Sequence, residues 1–268
     1  MITIGNIQLN EEKETLFVTL YAKSLDYRSK RSLLHDKTAD DIIKSIDFDF
    51  SKFSEMSNMT HIRARQFDDW IAAFIQEETK GVIVYLGCGL DTRVYRIDPP
   101  SSFTWFDVDY PEVIELRKTL LPSRPSYQMV GSSILEEDWL GHIPNDQPTL
   151  IVAEGVLEYL DVEEIKALFA HLTDHFQHGV LMFDMMSTFG VASGKEQLEQ
   201  TTGAVHKWAV DHIEEVDALN DRLSREAYIS VFQAPCIKEL SIGTRLFCRI
   251  ALMIPRFRNI LRLASYRF

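Results

Sequence analysis

The sequence predicts an α/β protein with a doubly wound, mostly parallel sheet, and three observations carry this prediction. Five short apolar segments rich in strand-forming residues recur between residues 81 and 186. Segments with helical periodicity separate them, so strands and helices alternate, as they do in parallel sheets with right-handed crossovers. The glycines and acids that are candidates for ligand binding all follow the ends of these segments, where open α/β sheets bind their ligands.

Helices are predicted before the sheet. Residues 11–50 contain two amphipathic stretches, and residues 65–78 carry the i, i+3, i+4, i+7, i+8 stripe of a third helix, just after Arg63. The first 80 residues are therefore expected to form a helical cap. The apolar positions are Leu16, Leu20 and Tyr21 in the first helix, Ala39, Ile42, Ile43 and Ile46 in the second, and Phe67, Trp70, Ile71, Phe74 and Ile75 in the third.

The first strand, at residues 82–86, breaks abruptly into the turn Gly87, Cys88, Gly89. Two glycines so placed let backbone N–H groups approach a nucleotide-type cofactor without a Cβ in the way. The dinucleotide fingerprint G-x-G-x-x-G would need another glycine where Thr92 stands. The glycine pair alone is equally compatible with an ordinary sharp turn.

Two acids, Asp107 and Asp109, follow the second strand at residues 103–107. A carboxylate about 20 residues beyond the glycine turn is where α/β nucleotide folds bind the ribose hydroxyls. Asp109 is nearer the loop and is the preferred candidate. Alternatively, both acids only cap the helix that begins near Pro111, because carboxylates are favoured at helix N-termini.

The remaining parallel strands are predicted at residues 127–131, 149–153 and 179–184. Asp161, followed by Glu164, begins the helix between the last two of them with a variant of the capping box.

The rest of the chain extends this core, residues 81–186, within one domain of residues 1–268. Residues 187–225 are polar and helix-prone and are expected to form a helical insertion that roofs a pocket as a lid. Residues 226–268 contain a possible strand, a helix and a final strand, which suggests an antiparallel addition at the sheet edge. These three elements are predicted at 227–232, 242–254 and 260–268.

Composition argues against several classes of partner. The net charge of −12 disfavours general binding to nucleic acid, and the arginines near the C-terminus alternate with apolar residues as on solvated faces. Three separated cysteines and eight histidines show no metal-ligand spacing, so no metal is expected. The N-terminus lacks a leader-like apolar segment, and no apolar run approaches the length of a membrane span. A cytoplasmic protein without membrane partners is expected.

Several spaced motifs resemble the S-adenosylmethionine-dependent methyltransferases of the leucine carboxyl methyltransferase family. They are IRARQFDDWI, LGCGLDTRVYRID, FDVDYPEVIELRKTLLP and AEGVLEYLDVEEI, and the similarity extends over nearly the whole chain. The match is strongest to the bacterial branch that includes tetracenomycin-type polyketide O-methyltransferases. This resemblance implies the seven-stranded, Rossmann-like class I fold, with S-adenosylmethionine as cofactor and S-adenosylhomocysteine as product.

The resemblance also implies roles for individual residues. Gly87 and Gly89 would pack beneath the methionine portion of the cofactor, and Asp109 would hold the ribose hydroxyls. Arg63 would pair with the cofactor carboxylate, and Glu154 would face the methionine part. The expected cofactor site is completed by Cys88, Tyr110, Gly155, Ser133 and Ile134; the last two stand where the family commonly has an acid and a leucine beside the adenine.

The methyl acceptor is expected to be a small molecule, with a carboxylate favoured over a hydroxyl. A carboxylate needs no general base, whereas an alcohol or phenol does, and no histidine follows a strand end to serve as one. Tyr159 and Arg63 are the candidates for touching the acceptor. Alternatively, Tyr159 packs beneath the strand end and Arg63 is a solvated charge.

Other functions and the assembly stay open. The chain could instead be a non-catalytic sensor or partner subunit that binds S-adenosylmethionine. A nicotinamide-dependent oxidoreductase is disfavoured by the missing third glycine. The sequence does not determine the oligomeric state.

Overall fold

A computed structural model describes residues 2–4, 7–9, 11–47, 50, 59–194 and 205–268, with side chains described from Leu16 on. Its centre is a seven-stranded sheet in the order β5-β4-β3-β6-β7-β9-β8. Five neighbouring strands are parallel, whereas β9 runs antiparallel to both β7 and β8. The predicted doubly wound fold with an antiparallel edge is therefore confirmed. The strands are β3 (Gly81–Leu86), β4 (Phe103–Asp109), β5 (Tyr127–Gly131), β6 (Thr149–Ala153), β7 (Gly179–Met186), β8 (Ser224–Ser230) and β9 (Leu261–Arg267), and a separate hairpin joins β1 (Ile2–Ile4) to β2 (Ile7–Leu9).

Helices cover both faces of the sheet. Alternate residues of each central strand face opposite sides, so both faces are apolar and both are buried by helices. In β3, Val82 and Val84 belong to one apolar cluster, while Ile83 and Tyr85 belong to the other. The helix α6 packs on the first face, and α3 and α8 pack on the second. The helices are α1 (Glu11–Arg28), α2 (Lys37–Ser45), α3 (Thr60–Glu77), α4 (Arg93–Ile97), α5 (Pro111–Leu120), α6 (Val162–His175), α7 (Ile213–Asp217), α8 (Ile242–Met253) and α9 (Pro255–Arg258).

The N-terminal helices form a third apolar cluster, which includes Phe17, Leu20 and Ile42. Leu90, just beyond the glycine turn, and Leu116 of α5 belong to the same cluster. The predicted helical cap is thus attached directly above the turn that ends β3.

Two boundaries differ from the predicted ones in ways that affect the site. The helix α3 begins at Thr60 rather than near residue 65, so Arg63 lies inside its first turn. The strand β4 continues to Asp109 instead of ending at 107. Local capping is as expected at α6, where Asp161 and Glu164 form a capping box.

Residues 187–225 are less helical than predicted. Residues 188–194 are helical, α7 is short, and most of 205–223 is turn or irregular structure. Residues 195–204 lie outside the described residues, so the predicted helix there is not described. Among the described helices, none is long and apolar enough to cross a membrane.

Candidate active site

A cavity of about 450 Å³ opens at the carboxyl ends of β3, β4 and β6, beneath α1. Most of the residues predicted for the site line this one cavity. They are Arg63, Gly87, Cys88, Gly89, Asp109, Tyr110, Glu154, Gly155 and Tyr159. Parallel strands bring these groups together because their carboxyl ends meet at the same edge of the sheet.

Ser133 and Ile134 are not part of the cavity wall. The Ser133 hydroxyl accepts a hydrogen bond from the Leu135 backbone N–H at 3.3 Å, and Ile134 is buried in the apolar core with Trp139. Their predicted position beside the adenine stays a prediction.

The glycine turn that forms the floor of the cavity requires glycine. Gly87 and Gly89 have φ angles of +60° and +51°, in the left-handed region. A Cβ at Gly87 would lie 2.6 Å from Cγ2 of Val156, and one at Gly89 would lie 3.3 Å from Cδ2 of Leu16. The turn therefore presents bare backbone to the cavity, as a closely packed ligand requires. Cys88 between the glycines is buried, and burial raises the pKa of its thiol, consistent with a small packing residue.

Of the two acids that follow β4 in the predicted pattern, Asp109 is the one that lines the cavity. One carboxylate oxygen accepts the backbone N–H of Gly89 at 2.7 Å, and the other accepts that of Tyr110 at 2.8 Å. Burial raises the pKa of this carboxyl. Each oxygen has a second lone pair for a ligand, so the group can accept two hydrogen bonds from vicinal hydroxyls.

Asp107, the alternative candidate for the ribose, is instead bound by side chains of the protein. Its buried carboxylate accepts hydrogen bonds from Arg117, the Tyr127 hydroxyl and the indole N–H of Trp105. Arg117 also donates to the carbonyls of Gly89 and Asp91 at 2.8 Å each. Asp107 thus anchors the arginine that holds the glycine turn.

Arg63 lies in a buried cluster of carboxylates rather than in solvent. Its Nε donates to Glu154 at 2.9 Å and its Nη1 to Asp184 at 2.7 Å, and only 14% of its side chain is exposed. Burial opposes the charge, but Asp184 and Glu154 outweigh it and raise the pKa of the guanidinium. Gly155, with φ of +68°, donates its N–H to Asp184 at 2.7 Å and passes close to the guanidinium. Glu154 and Gly155, which directly follow β6, therefore both lie against the Arg63 guanidinium.

A second cation, Lys23 of α1, lines the same cavity and was not identified from the sequence. Its ammonium lies 2.9 Å from Asp91, and burial lowers the pKa of this lysine despite that partner. The available signal was its position, since Lys23 follows Leu16 and Leu20 at i, i+4, i+7 on the apolar stripe of the helix.

Further buried ionic groups contact the residues that line the cavity. Arg93 is fully buried, donates to Glu154 and Asp68, and lies 4.8 Å above the Tyr85 ring. Neither Arg93 nor Asp184 was assigned a role from the sequence, although Asp184 is the acid at the predicted end of the fifth strand. Because Glu154 accepts from both arginines, the pKa of its buried carboxyl is lowered.

Tyr159 lies at the rim of the cavity, beside the ring of His206 and directly after Glu158 in the chain. Its ring is 5.2 Å from that of His206, and the preceding Glu158 is buried. Burial, and then the charge of Asp184, raise the pKa of Glu158 to about 8. Tyr159 thus lines the cavity and packs on His206, and its contact with the acceptor stays a prediction.

The arrangement suits S-adenosylmethionine chemically. Arg63 and Lys23 are cations that can bind the cofactor carboxylate. Asp109 can accept hydrogen bonds from the ribose hydroxyls, and the bare backbone of Gly87 and Gly89 lies between these groups. The cavity has no room for a Cβ at Gly87 or Gly155 without a shift of Val156 or Arg63.

Comparisons with known proteins agree with this geometry. The sequence profile of the family described as leucine carboxyl methyltransferase matches residues 6–173. The tetracenomycin polyketide synthesis O-methyltransferase TcmP of Streptomyces glaucescens is 34% identical over 266 residues, which cover 98% of each chain.

Solved structures show the same fold. A protein of Thermobifida fusca YX described as a methyltransferase superposes with a TM-score of 0.61 at 15% identity, covering 93% of both chains. The magnesium protoporphyrin IX methyltransferase of Synechocystis PCC 6803, solved with bound S-adenosylhomocysteine, gives 0.51 at 12% identity and covers 87% of this chain and 95% of that one. The chain therefore belongs to the leucine carboxyl methyltransferase family and is an S-adenosylmethionine-dependent methyltransferase.

Proposed function

We propose that this enzyme methylates a carboxylate oxygen of a small molecule. The observation that carries this proposal is that no histidine lines the described cavity wall and that its buried carboxylates, Asp91, Asp109 and Glu154, already accept hydrogen bonds from protein donors. Glu154 is a weak base because two arginines hold its charge, and the Lys23 ammonium is paired with Asp91. A carboxylate is already ionised at neutral pH and needs no such base. The name of the TcmP relative, an O-methyltransferase, supports oxygen as the acceptor atom.

We assign each part of the cofactor to particular residues of the cavity. Asp109 accepts hydrogen bonds from the ribose hydroxyls, and the turn from Gly87 to Gly89 packs beneath the methionine portion. Arg63 and Lys23 bind the cofactor carboxylate: Nη2 of Arg63 makes no hydrogen bond to a described residue, and Asp91 is the one described residue with which Lys23 pairs. Both groups can therefore donate to the ligand without first losing these partners.

The other predicted residues are assigned to the adenine and to the packing around the methionine part. Tyr110 is exposed at the cavity mouth, and we assign it to the adenine end together with Ser133 and Ile134. Cys88 and Gly155 contribute the packing of the floor and wall, while Glu154 faces the methionine part.

The chemistry demands little beyond positioning. S-adenosylmethionine supplies a methyl group on a positively charged sulfur, which an oxygen nucleophile displaces in line. The chain contributes by holding the acceptor close and collinear and by excluding water, which supplies much of the rate enhancement. We assign the acceptor contact to Tyr159, at the rim of the cavity. Its raised pKa keeps the phenol protonated, so it can donate a hydrogen bond to a carboxylate.

The nature of the product tests this proposal. The enzyme is incubated with S-adenosylmethionine carrying a radiolabelled methyl group and with matched pairs of aromatic carboxylates and phenols. Methyl esters release labelled methanol in mild alkali, whereas methyl ethers are stable. We expect alkali-labile label with carboxylates; alkali-stable label with the phenols would overturn the carboxylate assignment. Tight cofactor binding without transfer to any acceptor class would favour the non-catalytic alternative.

A further inference from the structure

The helix α8 and the short α9 that follows it present a large apolar face to solvent, which we call the α8 face. Its residues are exposed by 41% to 81%, and four of them recur at i, i+4, i+8 and i+11. The opposite side of α8 packs on the protein through Cys248 and Ala251. The α8 face comprises Ile242, Leu246, Phe247, Ile250, Met253, Ile254 and Phe257.

This face is too large to be ordinary surface. Together its seven side chains expose on the order of 800 Å², above the 300–600 Å² of the largest apolar patch on a typical monomer. The value matches the roughly 800 Å² that each partner contributes to a standard protein interface. The area therefore fits one half of a dimer.

Its charges have the composition of a protein interface. No acidic residue follows Glu239, and Arg245, Arg249, Arg256 and Arg258 surround the apolar residues. None of the four forms an ion pair with a described residue. Interfaces between proteins combine aromatic residues, methionine and arginine and are depleted of lysine, aspartate and glutamate, as this segment is.

The structure favours a second copy of this chain as the occupant. Symmetric homodimers are the commonest assemblies of soluble proteins. A copy with 40 acidic and 28 basic residues offers carboxylates to these four arginines. An anionic lipid surface fits less well, because it would repel a chain of net charge −12 and because Arg245 and Arg249 lie along only one edge of α8.

We propose that the α8 face is the interface of a homodimer. The face lies in the connection between β8 and β9, at the end of the sheet opposite β5. None of its residues lines the cavity, so the proposal does not depend on the acceptor.

Sedimentation equilibrium of the full chain at tens of micromolar tests this proposal. The wild type is expected at twice the chain mass of 30.9 kDa, and Leu246→Glu combined with Ile250→Glu is expected at 30.9 kDa. Two charges in the centre of an interface should raise the dimer dissociation constant by at least about 100-fold. Val162→Glu, at a 41% exposed position on α6, is the matched control and should stay dimeric.

Circular dichroism distinguishes dissociation from unfolding. Because both substituted positions are exposed, the double variant should keep its helical spectrum. A wild type that is monomeric overturns the proposal, including one that instead sediments with phosphatidylserine vesicles. A double variant that stays dimeric also overturns it, because the interface would then lie elsewhere.

Discussion

Replacing Arg63 with methionine tests the buried charge cluster beside the cavity. Methionine keeps much of the side-chain volume but removes the cation that Asp184 and Glu154 share. Glu154 keeps Arg93 as a partner, whereas the Gly155 backbone N–H is the one donor to Asp184 that remains among the described residues. Removing one partner of a buried ion pair costs about 3–5 kcal/mol, and most of that cost should fall on Asp184.

The cost should depend on pH with a definite sign. Burial already raises the pKa of Asp184 in the folded protein, and loss of Arg63 raises it further. The folded variant then holds a proton that the unfolded chain releases near pH 4. Its free energy of unfolding therefore falls as pH rises above 4, by up to about 1.4 kcal/mol per pH unit, until Asp184 ionises in the folded state as well.

Urea unfolding at pH 5.5 and pH 8, without cofactor, measures this difference. The Arg63→Met variant should lose more free energy of unfolding, relative to wild type, at pH 8 than at pH 5.5. Arg65→Met is the control, because Arg65 lies on the same helix and pairs with the partly exposed Asp69. It should cost about 1 kcal/mol or less at both pH values. An equal loss at both pH values for Arg63→Met would refute the reasoning.

Three further substitutions test other parts of the site. Gly87→Ala should destabilise the fold by about 1–2 kcal/mol or more in thermal melts, because of the positive φ and the Val156 contact, whereas Gly141→Ala, which meets no atom within 4 Å, should cost less. Lys23→Met should weaken S-adenosylmethionine binding by roughly 10- to 100-fold in calorimetry, through loss of a charge-assisted hydrogen bond; unchanged affinity would remove Lys23 from the site. Because the pKa of Glu158 is raised to about 8, its carboxyl should contribute a loss of stability as pH rises from 4.5 to about 8, and Glu158→Gln should remove that contribution from the urea-derived profile.

Much of the fold was predictable because apolar periodicity reports directly on strands and helices that pack in layers. Strands β5 and β6 have the predicted bounds, and the capping box at Asp161 marked the start of α6. Residues 187–225 were harder, since a polar segment without periodicity is shaped by what it packs against. There, the backbone of residues 207 and 208 bonds to the Glu158 carbonyl, a contact with no local sequence signal.

The site divides in the same way. Groups at strand ends, such as Asp109 and Glu154, were identifiable because the topology brings strand ends together. Lys23 was missed because its approach to the cavity depends on how α1 packs above the turn. Asp184 was missed because its role depends on a contact with Arg63, 121 residues earlier in the chain. The single-domain organisation and the individual residue roles stay predictions.

Calorimetric titration of S-adenosylmethionine and S-adenosylhomocysteine into the wild type and Asp109→Ala is the most direct test that this cavity holds the cofactor. Micromolar binding to the wild type, about −8 kcal/mol, is predicted, with a loss of roughly 10-fold or more in the variant as the ribose hydrogen bonds disappear. Wild-type affinity in Asp109→Ala would contradict the assignment of the ribose to this carboxylate. The absence of binding by either ligand to the wild type would contradict the account of the cavity altogether.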